Sequence, residues 1–164
     1  MSRLVSLLQL RTRAREATDT VGDVYITDAW LTDRANAHLT DVWDRIVDAG
    51  PPDRYAATAT FTEVAGTPSV PLPAGLRNFV DAYIVESGYR TRLSSMRGAT
   101  RGSYRAPTRA YTVEVEYIPA PDVLVADGDA FDGISGWEEM VMLLMARDIC
   151  KKRDTDPSAF LIDI

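Results

Sequence analysis

The chain has 164 residues, 46% of them hydrophobic, and a formal net charge of −6. That length and apolar content allow one compact domain with a core that needs no covalent staples. The single cysteine, Cys150, excludes an internal disulfide framework, and with only one histidine, His38, zinc centres built on those ligands are excluded as well.

Leu4, Leu7 and Leu8 predict a short first helix, about residues 3–17. The apolar start is too short to be a signal or membrane-spanning segment, and Gln9, Arg11, Arg13 and Arg15 interrupt it. The expectation is a soluble protein made in a reducing cytoplasm. A polar loop through Asp23 follows. Thr27 is suited to cap the next helix, about residues 27–48, and Asp28 to sit at its positive end. Leu31, Ala35, Leu39, Val42, Trp43, Ile46 and Val47 recur at helical spacing, and Gly50-Pro51-Pro52 stops the run. His38, between polar and apolar positions, reads as a boundary residue of this helix.

From Tyr55 the pattern changes to strands, and a β-rich region spans about residues 55–118. Tyr55–Val64 is the first strand, Gly66-Thr67-Pro68 a turn, and Ser69–Leu72 the returning arm of a hairpin. Leu76–Glu86 reads as a well-buried strand, with Gly88 turning the chain so that Tyr89–Leu93 pairs back. In Tyr111–Ile118 the residues Tyr111, Val113, Val115 and Tyr117 alternate with Thr112, Glu114 and Glu116, so one face is core and the other solvent or interface. The last helix, about residues 136–153, is expected to open with Ser135 and Glu138 as a capping box. Met140–Ala146 is apolar on every side, which places this helix at the centre of the fold or under another subunit. Cys150 lies among Met145, Ala146 and Ile149 as a small buried hydrophobe. Lys151, Lys152 and Arg153 complement the helix end, Asp156-Pro157 terminates it, and a short tail, residues 155–164, carries Phe160-Leu161-Ile162. Helices flanking a block of short strands argue for an α+β fold: a small helix bundle with an inserted antiparallel sheet.

Charge is segregated along the chain. Arg90, Arg92, Arg97, Arg101, Arg105 and Arg109 fall between Ser87 and Val113 with no carboxylate among them, whereas the remaining residues carry 12 basic against 24 acidic groups. One reading is an exposed basic loop, residues 89–109, that contacts a partner. The other is that these arginines neutralise acidic neighbours on the same subunit.

Chemistry-bearing patterns are sparse. A Cys–His nucleophilic pair would need Cys150 beside His38, and nothing in the pattern joins them. Phosphate-loop and dinucleotide fingerprints are missing, as is a nucleophile elbow. Asp127-Gly128-Asp129-Ala130-Phe131-Asp132-Gly133 with Glu138 partly matches a calcium loop, but Phe131 occupies the fifth position and the glycine is displaced. The residues therefore point to a protein without catalytic residues, metal or other cofactor.

Several segments stand out in order: Thr27-Asp28-Ala29 opening a helix that contains Asn36, a strand leading to Val70-Pro71-Leu72-Pro73, and Val115-Glu116-Tyr117-Ile118-Pro119. The acidic turn Asp127-Gly128-Asp129 follows, then Phe131-Asp132-Gly133-Ile134-Ser135-Gly136-Trp137-Glu138-Glu139 and an apolar helix ending Ile149-Cys150-Lys151-Lys152-Arg153-Asp154-Thr155-Asp156. Taken together, these segments resemble the head-to-tail adaptor (connector, or head-completion) proteins of tailed bacteriophages. The resemblance covers residues 27–157. It implies a structural virion protein at the neck, synthesised in the host cytoplasm. Such proteins form a ring, usually of twelve copies, beneath the portal protein; the ring extends the DNA channel, helps retain the packaged DNA and offers a platform to a tail or stopper protein. On that reading the six arginines contact the portal or a neighbouring subunit, and Trp137, Met140, Leu144, Phe160, Leu161 and Ile162 pack subunits together. The alternatives are a sequence-nonspecific nucleic-acid binder using the basic loop, a tail-completion or terminator protein, and a small metal-dependent enzyme using the acidic loop.

Overall fold

The computed structural model describes residues 4–51, 55–63, 69–70, 72–86, 88–93, 102–103, 110–131 and 136–160. The fold is α+β, with three α-helices, an antiparallel sheet of four strands and smaller two-stranded ladders among the described residues. The chain forms two compact units. One holds residues 1–46 and 121–164, the other residues 47–120. No helix among the described residues is long and apolar enough to cross a membrane.

In the helical unit, β1 (Val5–Ser6) pairs antiparallel with β8 (Ala130–Phe131), and α1 (Leu7–Ala17) follows β1 directly. The helix thus starts at Leu7, later than the expected residue 3, for a local reason. The Gln9 N–H donates to Ser6 Oγ (3.2 Å) and the Ser6 N–H to Gln9 Oε1 (3.1 Å), a reciprocal cap that ends the strand and opens the helix. α2 (Asp28–Ala49) begins as expected, with Thr27 Oγ1 accepting from the Trp30 N–H at 3.3 Å. Leu31, Ala35, Leu39, Val42, Ile46 and Val47 are buried and Trp43 is half-buried.

α3 (Trp137–Lys152) is capped differently from the expectation. Its N-cap is Gly136 at φ 102°, a left-handed conformation that a side-chain-bearing residue adopts only with strain, and the Gly136 N–H donates to Glu138 Oε2 at 2.9 Å. Glu138 does serve the helix start, but its partner is the backbone of Gly136; Ser135 lies outside the described residues. Val141, Met142, Leu144, Met145, Ala146, Ile149 and Cys150 are all buried, and α1 packs along α3. The all-round apolar helix is therefore central to its own unit.

Polar bonds between distant segments close this unit. The Leu124 N–H donates to Asn36 Oδ1 (2.8 Å) and Asn36 Nδ2 donates to the Leu124 carbonyl (2.9 Å). Arg11 is buried, pairs with Asp127 and donates to Thr32 Oγ1 at 3.3 Å. His38 is 7% exposed, and its Nε2 lies 2.9 Å from Asp148 Oδ2. The boundary position expected of His38 is thus corrected: a carboxylate on α3 gives the ring a polar partner inside the bundle.

In the other unit, β2 (Ala57–Glu63), β4 (Leu76–Glu86), β5 (Tyr89–Arg92) and β7 (Tyr111–Pro119) form one sheet in the order β2-β7-β4-β5. Tyr111, Val113, Val115 and Ala82 make its buried cluster, with Phe61, Phe79, Ile84 and Leu93 against it. The alternation of β7 is as expected from Tyr111 to Glu116 and is broken beyond it, where Tyr117 is half-buried and Ile118 is buried. β4 is less buried than its apolar sequence suggests, because only Asp81 and Ala82 are buried and the rest is half-buried or exposed. The expected hairpin between β2 and Ser69–Leu72 does not form. β3 (Ser69–Val70) pairs instead with β6 (Gly102–Ser103), while β2, an edge strand of its sheet, pairs with β7. The turn Gly66-Thr67-Pro68 lies outside the described residues.

Candidate partner-binding surface

Among the described residues, the outward face of the sheet brings together Asp81, Arg90, Arg92, Glu114 and Glu116. Cross-strand register places Arg92, Tyr83, Glu114 and Thr60 in one row, Asp81, Glu116 and Thr58 in the next, and Arg90, Val85 and Thr112 on the other side. Paired residues share a face, so the two-residue period of each strand puts all of these outward. Arg90 leans diagonally across Tyr83, its guanidinium carbon 4.3 Å from the ring centroid, and reaches Glu114 Oε2 and Glu116 Oε1, both at 2.8 Å. Arg92 leans the same way to Asp81 Oδ2 at 2.6 Å. Asp81 is further fixed by the Ala82 N–H (2.9 Å) and the Tyr83 hydroxyl (3.2 Å), both donating to it.

These contacts change protonation in one direction. The hydrogen bond to Glu116 raises the already high pKa of Arg90, opposed by partial desolvation, and the hydrogen bond to Asp81 does the same for Arg92. Loss of hydration, then the bond and charge of Asp81, raise the Tyr83 phenol above its ordinary value. Two cations thus face three carboxylates in a lattice that ties β5 across β4 to β7. Arg90→Ala is expected to lower the thermal midpoint by leaving Glu114 and Glu116 as unrelieved neighbours, and Glu116→Gln in the same chain should restore part of the loss. Additive effects of the two changes in a double-mutant cycle would contradict the pairing.

Of the six arginines singled out in the sequence, Arg90 and Arg92 have partners within their own sheet, the arrangement in which basic groups neutralise acidic neighbours. Arg97, Arg101, Arg105 and Arg109 lie outside the described residues. The sequence reading places Glu114 and Glu116 on a solvent or interface face and does not join them to the arginines. The signal was there: Arg90 and Arg92 repeat with the same period of two as Glu114 and Glu116, as facing rows on one sheet would.

The apolar set is divided. Leu144 is 5% exposed within the helical unit, Trp137 and Met140 are half-buried, and Phe160 is half-buried in a 3-10 turn, Ser158–Phe160, against α3. Leu161 and Ile162 lie outside the described residues.

The acidic loop is built by local bonds. Asp129 Oδ2 accepts from the N–H groups of Val125 (2.7 Å) and Ala126 (2.8 Å), which hold its carboxyl below the usual range, while Asp127 pairs with Arg11. Among the described residues no group of three or more histidine, cysteine or carboxylate side chains is disposed to hold a metal; Asp132 lies outside them. Because the folded pKa of Asp129 is depressed, its contribution is complete above the unfolded carboxylate value of about 3.9 and is lost as pH falls through the lower folded value. An amide titration should show the Val125 and Ala126 signals moving in that acid window in the native chain, and not in Asp129→Asn.

Comparison with known protein families and with characterised proteins found no match to this chain.

Proposed function

We propose that the protein is a phage head-to-tail adaptor: a structural virion component that forms a ring of copies beneath the portal protein, lines part of the DNA channel and receives the tail or a stopper protein. The observation that supports this most directly is the order of elements. A helix bundle interrupted between α2 and α3 by an antiparallel sheet is the arrangement that the family resemblance over residues 27–157 leads one to expect. Asn36, one of the residues in that resemblance, spans the 88 positions to Leu124 to pin the segment leading into the acidic turn. Arg90 and Arg92 are engaged by carboxylates of their own sheet, so the contact assigned to the basic span narrows to Arg97, Arg101, Arg105 and Arg109. A net charge of −6 suits a channel through which DNA slides without sticking.

Cryo-electron microscopy of particles carrying this chain, focused on the vertex that joins head and tail, tests the proposal. The expected result is density for this fold as a ring directly below the portal. A position elsewhere in the tail makes it a different joining protein and overturns the adaptor reading. Absence from the particles overturns it too, and a steep salt dependence of DNA affinity would then favour a nucleic-acid binder.

A further inference from the structure

The four-stranded sheet ends in β2 on one side and β5 on the other, and among the described residues no strand pairs with the outer edge of either. The outer backbone groups of an edge strand are a template for another chain, and proteins ordinarily guard them with charge, proline or a bulge. Ala57–Thr62 carries no charge and no proline. Its register with β7 runs without a break, from Ala57 opposite Tyr117 to Glu63 opposite Tyr111. β5 does carry two arginines, but both turn inward. Arg90 reaches Glu114 and Glu116 on β7, and Arg92 reaches Asp81 on β4, so their charge is drawn away from the free edge. Tyr89, at the start of β5, is 79% exposed.

The two edges fit each other. Every neighbouring pair in the sheet is antiparallel, so β5 runs opposite to β2. A second copy in the same orientation therefore sets its β5 antiparallel beside β2 and continues the alternation. The faces agree as well. Thr91 is opposite Ile84, which packs on the buried cluster, and Tyr89 shares that face two residues earlier. Phe61 and Ala59 lie on the same side, opposite Val113 and Val115. Setting β5 of one copy against residues 58–61 of the next places Tyr89 opposite Phe61 and Thr91 opposite Ala59. Arg90 and Arg92 then stand outward beside Thr60 and Thr58. The cross-strand aromatic pair favours this register, because it covers Tyr89 and the half-buried Phe61 together.

We infer that copies of this chain join edge to edge, β5 of one adding to β2 of the next, in a continuous antiparallel sheet. Such a contact is heterologous, so each copy keeps one open edge until the assembly closes on itself. A four-residue ladder is weak between two free copies and gains strength by repetition around the assembly. The contact needs neither portal nor DNA. A ring whose copies touch elsewhere would exclude it and leave the adaptor reading intact, and a chain missing from particles would do the reverse.

In a Cys150→Ala background, Ala59→Cys and Thr91→Cys are prepared as separate chains, mixed, mildly oxidised and resolved without reductant. Directly opposite residues hold their Cβ atoms about 4.5–5.5 Å apart, within reach of a disulfide after slight adjustment. The mixture is expected to yield a dimer linked through positions 59 and 91, several-fold above the dimer from either chain alone. Absence of that product overturns the inference, and so does an equal yield from Ala59→Cys alone, which would mean two β2 edges meeting. Thr60→Cys, on the outward face, should not trap with Thr91→Cys; equal trapping would mark chance collision and overturn the contact. A Thr60→Lys change added to the Ala59→Cys chain guards the edge with charge. It should lower the trapped yield several-fold at an unaltered thermal midpoint, and an undiminished yield overturns the edge pairing.

Discussion

Replacing Asn36 with alanine is expected to destabilise the helical unit by about 2–4 kcal/mol, the loss of two hydrogen bonds that leaves a partly buried N–H and C=O without partners. Asn36 sits on α2 between buried Ala35 and buried His38, and its amide meets both backbone groups of Leu124, whose side chain is 2% exposed. An alanine side chain cannot replace either bond. Urea denaturation of the variant and the native chain reads the difference. Asn36→Asp separates the two bonds: the introduced carboxylate still accepts from the Leu124 N–H but faces the Leu124 carbonyl without a proton to donate. Its destabilisation should shrink as pH falls and the carboxyl becomes protonated. A loss below about 0.5 kcal/mol for Asn36→Ala, within the range of ordinary surface substitutions, would show that the clamp does not hold the segment.

Leu144→Ala is expected to cost about 2–5 kcal/mol, the transfer loss of the removed methyls plus the cavity left in a packed core. Met140→Ala, on the same helix but half-buried, should cost about 1 kcal/mol, because much of its side chain is already in water. The contrast bears on function. Leu144 belongs to the interior of its own unit, so its truncation should impair assembly only by unfolding the subunit. Met140 and Trp137 retain exposed area, and truncating either should affect association between copies at unchanged fold if these residues pack subunits. Thermal unfolding together with sedimentation of each variant checks both halves. An unaltered midpoint for Leu144→Ala would contradict the central position of α3.

The partner-binding surface was half legible. Six arginines without an intervening carboxylate stand out in any reading of the sequence, and so does the outward alternation of Glu114 and Glu116. That Arg90 closes on both glutamates depends on β4 lying between β5 and β7, and a side chain reaching diagonally over Tyr83 follows from strand order. The same holds for Asp81, which in sequence is one acid within an apolar run and in the sheet is the seat of Arg92.

What the sequence by itself determined is local. The start of α2 at Thr27, its buried stripe, the extent of β4, the turn to β5 and the alternation of β7 as far as Glu116 rest on hydrogen bonds and periodicities within a few residues, and those are fully encoded in neighbouring side chains. The α+β class follows from the order of such segments. Tertiary structure alone decided the rest: β3 pairing with β6, Ser6 ending a strand that answers Ala130–Phe131, Asn36 reaching Leu124, and His38 facing Asp148 from 110 positions away. The physical reason is common to all of them. A buried polar group must find a partner wherever packing brings one within about 3 Å, and periodicity along the chain carries no record of which distant segment that will be.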